Sequence, residues 1–144
     1  MEIDAIGRVL VEVTIENLKD LWEAESGYQS DDDVRRLTVS NALVDTGATT
    51  LSLPTTLIQQ LGLKQRLQRR VTTSTGGATV AMYDAVRLTI HGRECTVDVM
   101  EVLENVPVLV GQVPLELLDF VIDPRRQRLM GNPEHGGEHM LELY

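Results

Sequence analysis

The chain has one cysteine, Cys95, one tryptophan, one phenylalanine and three tyrosines. A single cysteine excludes an internal disulfide and agrees with a reducing compartment. With aromatics at 3%, any core has to be assembled from Val, Leu, Ile and Ala. Positive charge is also short: 13 Lys and Arg stand against 22 Asp and Glu, for a net charge of -9. That argues against a nucleic-acid partner, because phosphate binding needs a basic surface. The pairs Arg35-Arg36, Arg69-Arg70 and Arg125-Arg126 lie far apart beside acidic neighbours and read as solvated faces. No apolar run approaches a membrane span, so no membrane partner is expected. Met1-Glu2-Ile3-Asp4 lacks the basic start and apolar run of a signal peptide, which makes a cytoplasmic location the expectation. Phosphate loops and nucleophile-elbow serines are missing as well, and no cofactor is expected.

What is present suits one domain spanning 1–144, long enough for a real core. Arg8 to Glu16 alternates, with Val9, Val11, Val13 and Ile15 on one side, and predicts a half-exposed strand. Asn17 caps a short helix in which Leu18, Leu21 and Trp22 share a face, and Gly27 ends it. Residues 28–33, with Asp31-Asp32-Asp33, read as an exposed acidic connection without calcium-loop spacing. Pro54 suits a first helical position before Leu57, Ile58 and Leu61. Arg70 to Thr75 and Thr79 to Ile90 predict a hairpin turning at Gly76-Gly77. His91-Gly92 makes the next turn, and Glu94 to Val102 alternates again with Cys95 as a small core hydrophobe. Val106 to Val110 reads as a short strand, Pro114 opens a small helix, and Phe120–Ile122 and Arg128–Met130 are two last strands. Many short strands with turn signals between them predict an all-β class, mainly β with two or three short helices, barrel-like or sandwich-like.

The chain is organised around Leu43-Val44-Asp45-Thr46-Gly47-Ala48-Thr49-Thr50-Leu51-Ser52-Leu53. Val39, Ala42, Leu43 and Val44 read as a buried strand before it, and Leu51 and Leu53 alternate with Thr50 and Ser52 after it. Asp45, Thr46 and Gly47 must form a tight turn, and an acid lodged between core strands is costly unless it is hydrogen-bonded or has a task.

These residues resemble the active-site loop of the aspartic proteases, an Asp-Thr-Gly between apolar strands followed by Ala or Ser. A second mark, Leu109-Val110-Gly111 followed by a short helix, resembles the apolar-apolar-Gly segment of the retropepsin-type members, where it packs behind the loop. The order of loop, glycine-tipped hairpin, apolar-apolar-Gly, helix and final strand matches the retroviral-type, single-lobe aspartic proteases over roughly residues 8–130. Residues 131–144 remain as a C-terminal tail. The departure is Gln112, where many relatives carry a charge. The resemblance implies a retropepsin-like closed β-barrel, one lobe per chain, and an aspartic endopeptidase.

In that family a water is held between two close aspartates, one ionised as general base and one protonated to polarise the scissile carbonyl. Two carboxylates about 3 Å apart share one proton and titrate as a pair, as in the aspartic-protease dyad. Only one Asp-Thr-Gly is present; Asp84, Asp98, Asp119 and Asp123 lack the continuation. The second carboxylate must come from a second copy, so the resemblance implies a two-fold homodimer and an inert monomer. It assigns catalysis to Asp45, Thr46 and Gly47. Thr46 would bond across the axis, or, on the plainer alternative, to nearby backbone. Gly47 would leave room for the water. Ala48, Val110 and the tip of a flap over Val71–Ala81 (Thr75, Gly76, Gly77 and Ala78) would contact a peptide or protein substrate.

His135-Gly136-Gly137-Glu138-His139 spells an inverted zincin motif, but two glycines break the helix that such a metal site needs, and no metal is expected. Two functional classes stay open. One is a homodimeric aspartic endopeptidase; the other is a peptide- or protein-binding module that keeps the protease fold without turnover.

Overall fold

Nine strands, three short α-helices and two 3-10 turns make up residues 8–142, which the computed structural model describes. The Met1–Asp4 reading and the last two residues of the tail lie outside them. Strand β1 (Leu10–Asn17) keeps the expected alternation, with Val11, Val13 and Ile15 buried. It pairs antiparallel with β2 (Arg36–Val44) on one side and with β5 (Gly76–Ile90) on the other. Strand β7 (Leu109–Val110) joins β2 in parallel and β3 (Leu51–Pro54) antiparallel. β3 continues in parallel into β6 (Arg93–Val102), which returns antiparallel to β5. The sequence β1-β2-β7-β3-β6-β5 therefore closes on itself as a ring of six strands, in keeping with the mainly-β lobe expected. Strand β4 (Gln65–Thr73) stands outside the ring and, among the described residues, pairs only with β5. Closure leaves one core of aliphatic side chains, with Val13, Ile15, Leu51, Leu53, Leu88 and Val99 fully enclosed. A small β8 (Phe120–Asp123) and β9 (Arg128–Gly131) hairpin follows the ring.

Helix α1 (Leu18–Glu25) is capped by Asn17, whose Oδ1 accepts from Asp20 N at 3.0 Å and whose Nδ2 donates to Leu61 O at 2.7 Å. Trp22 does not share the buried face expected of it and is 56% exposed. The inward place goes to Asp20, whose carboxylate is gripped by Arg35 through Nε at 2.7 Å, Nη2 at 2.9 Å and the main-chain N–H at 3.1 Å. Helix α2 (Thr55–Gln60) starts after Pro54, which is the cap residue and last residue of β3 rather than the first of the helix. Helix α3 (Gln112–Leu118) starts two residues before Pro114.

The hairpin also differs from expectation. β4 begins at Gln65 rather than Arg70, in a stretch of mostly exposed side chains whose polar residues mask its alternation. The turn falls on Ser74-Thr75, with Thr73 paired to Gly76. Thr73 Oγ1 closes it by donating to Gly76 O at 2.7 Å and accepting from Thr75 N at 3.3 Å. Gly76, at φ +125°, is thereby drawn into β5 instead of the turn. His91 and Gly92, at φ +49° and +78°, do form the next two-residue turn. β7 is shorter than Val106–Val110, since Val106 N is spent on Leu103 O at 3.0 Å and Pro107 has no N–H. No helix among the described residues is long and apolar enough to cross a membrane.

Candidate active site

Asp45 leaves the end of β2 at the point where β7 runs alongside. Its N–H donates to Val110 O at 2.9 Å, one step beyond the pairing of Val44 with Val110. The chain then folds back: Ala48 N donates to Asp45 O at 3.0 Å, and Gly47 N donates to the Asp45 carboxylate at 2.9 Å. This local bond orients the acid and leaves it half-buried, with Thr46 and Gly47 exposed beside it. A Cβ on Gly47 would sit 3.2 Å from Asp45 Oδ1, so glycine keeps the space over the carboxylate open.

The back of the loop is held by the start of α3. Gly111 N donates to Thr50 O at 2.9 Å, Gln112 N to Ala48 O at 2.9 Å and Val113 N to Thr49 O at 2.8 Å. Helix α3 has no side-chain cap, and these carbonyls satisfy the donors its first turn would otherwise leave unpaired. The contact is close enough to demand glycine: a Cβ on Gly111 would lie 2.5 Å from Thr50 O and 2.7 Å from Ala48 O. Thr50 anchors the loop's exit through Oγ1, which donates to Asp98 O at 2.7 Å.

A cleft of about 560 Å³ opens next to this loop. Its floor includes Thr49 and Thr50, one wall is the stem of the β4–β5 hairpin with Leu67, Arg69 and Met82, and Val113 of α3 borders it. Asp45, Thr46, Gly47 and Ala48 are thus held together in one loop at the cleft's margin. Thr75, Gly76, Gly77 and Ala78 are exposed at the hairpin's end, and the stem rather than this tip walls the cleft. Val110 has to be corrected: at 0% exposure its side chain lies in the core, so it offers the loop a carbonyl and not the substrate a surface. Arg69, Met82, Tyr83, Met100 and Val113 line the cleft and were not singled out from the sequence. The alternation of Leu67, Arg69 and Val71 was the available signal, masked by the polar residues around it.

A family model for aspartyl proteases matches residues 33–133, more than half of the chain and the span that holds both the loop and the Gly111 crossing. The chain belongs to that family. No individual curated protein matches it.

Other reactive groups of this aspartyl protease chain are turned to structural use. Burial pushes the Cys95 thiol up to about 11, which keeps it protonated and unreactive. The histidines of the zincin-like motif serve separate internal partners. His135 Nδ1 lies 2.6 Å from Asp119 and Nε2 lies 2.9 Å from Glu142, while His139 Nε2 donates to Leu117 O at 2.8 Å. Met140 N donates to Asp119 Oδ2 at 3.1 Å, so the tail is fastened to the end of α3.

Proposed function

We propose that the chain is one half of a homodimeric aspartic endopeptidase, which hydrolyses peptide bonds with a water held between two copies of Asp45. The observation that carries this reading is the loop itself. A half-exposed carboxylate is oriented by Gly47 N, backed by Val110 and Gly111, and flanked by an exposed Thr46 whose hydroxyl bonds nothing among the described residues. That hydroxyl is available for a bond across a two-fold axis, which favours the cross-axis role over a local one. In the dimer the ionised carboxylate takes a proton from the water as its oxygen attacks the scissile carbonyl carbon. The protonated carboxyl donates to the carbonyl oxygen, and collapse of the tetrahedral intermediate breaks the C–N bond as the leaving nitrogen takes a proton. The peptide lies extended between the hairpin and the loop, as an added strand.

A non-catalytic peptide-binding module is favoured by one observation: the walls of the cleft do not include Asp45, so docking needs no second chain. Digestion of an unbiased peptide pool at acidic to neutral pH, wild type against Asp45→Ala, separates the two. Cleavage by wild type alone, falling from neutral to alkaline pH as the shared proton is lost, supports the endopeptidase. Silence from both, in a sample that sedimentation shows to be dimeric, supports the binding module.

A further inference from the structure

One cation in the cleft has no counter-ion among the described residues, and we infer that this residue, Arg69, selects peptides carrying an isolated acidic side chain. The inference takes its catalytic meaning from the endopeptidase reading, while its observations lie in the cleft alone. From Lys64 to Arg70 the chain carries four basic residues and no acidic one, within a molecule of net charge -9. Leu67, Arg69 and Val71 alternate along β4 onto the cleft, and Arg70 falls on the other face. Arg66 also borders the cleft, but it is paired with the Asp84 carboxylate. Arg69 is exposed and makes no ion pair among the described residues.

Edge strands often carry charge to resist pairing with other chains, and Arg70 meets that need from the outer face. Arg69 instead stands between two apolar residues on the wall of a cavity. A guanidinium there meets a carboxylate through two parallel hydrogen bonds, a geometry no neutral side chain reproduces. The surrounding Leu67, Val71, Met82, Met100 and Val113 accept aliphatic neighbours of that acid. Asp98, exposed on β6 and also bordering the cleft, sets the limit. It repels a second acid, so one Glu or Asp in an apolar context is preferred to an acidic run. The negative body repels polyacidic chains further.

The test uses the full chain with Asp45→Asn, which removes turnover and keeps the cleft. Binding is measured by fluorescence anisotropy against extended ten-residue apolar peptides that differ only in Glu or Gln at each position in turn. At one register the Glu peptide is expected to bind roughly three- to tenfold more tightly, as for a charge pair in a half-open site. Arg69→Gln should abolish that difference, Arg69→Glu should reverse it in favour of the Gln peptide, and Arg70→Gln should leave it intact. Absence of binding, equal binding of Glu and Gln peptides, or a preference that survives Arg69→Gln overturns the inference. Wild-type digestion of the same peptides keeps the two ideas apart. Glu-selective binding without any cleavage removes the endopeptidase and leaves Arg69 its role, whereas cleavage indifferent to Glu does the reverse.

Discussion

Gly111 donates its N–H to the Thr50 carbonyl at 2.9 Å while a Cβ on the same residue would stand only 2.5 Å from that oxygen. Bond and clash share one direction, so the loop cannot retreat from a side chain without losing the bond. Gly111→Ala is therefore expected to cost about 1–3 kcal/mol by overpacking against backbone. Because the displaced carbonyls belong to the Asp45 loop, activity should fall by more than the lost folded fraction explains. Urea unfolding and kcat/KM, measured on the same preparation, check both parts.

Thr46 makes the opposite case. Its side chain is exposed and unbonded among the described residues, so Thr46→Ala should leave the unfolding free energy of the isolated chain within about 0.5 kcal/mol. If its hydroxyl bonds across the dimer axis, the same change weakens dimerisation and turnover together, and Thr46→Ser restores both. Sedimentation equilibrium read beside peptide cleavage distinguishes this from a residue without a role.

The Asp45 loop is legible in sequence because its demands are local: apolar strands on both sides, an acid, a hydroxyl and a glycine at fixed steps. Gly111 is legible for a similar reason, since a close crossing leaves no other choice of residue. The hairpin is harder. Gly76 and Gly77 advertise a turn, yet Thr73 closes the chain around Ser74-Thr75 with its own hydroxyl, a side-chain bond that composition does not reveal. β4 hides because exposed polar residues surround and mask the alternation of Leu67, Arg69 and Val71. Val110 misleads for a different reason: its neighbourhood to Asp45 is real, but it is made by a carbonyl while the side chain turns into the core. Trp22 sits where helical spacing predicts packing, whereas the inward place is taken by Asp20, whose partner Arg35 lies 15 positions away and is connected to it by no local pattern.

That pair has a measurable pH signature. The Arg35 guanidinium holds the Asp20 carboxyl below its usual range. A depressed acid stabilises the fold above its unfolded value, about 3.9, and loses that contribution as pH falls through the folded value. Asp20→Ala should cost about 1–3 kcal/mol at neutral pH, at the modest end because Arg35 is half exposed. The gap from wild type should close as pH drops below about 4, whereas a constant gap down to pH 2 would assign the loss to packing. Chemical denaturation at stepped pH decides it.

The clamp on the tail works in a bounded window. Glu142 and then Asp119 raise the His135 imidazole above its ordinary value, while His135 first, with Met140 N–H and Asn132, holds Asp119 below its own. The raised histidine contributes fully below about 6.5 and loses that contribution as pH climbs through its folded value; the depressed aspartate contributes above about 3.9 and loses it on acidification. Both contributions are at full strength only in the mildly acidic interval between; above it Asp119 stays ionised but faces a neutral imidazole, and the attraction between imidazolium and carboxylate is gone. The Met140 amide, which donates to Asp119 Oδ2 at 3.1 Å, reports on this directly. Its hydrogen-exchange protection, corrected for the intrinsic rate, should peak near pH 5 to 6 and decline toward pH 8, and His135→Ala should flatten the profile. Protection that instead rises between pH 6 and 8 would show that the imidazolium does not hold the tail.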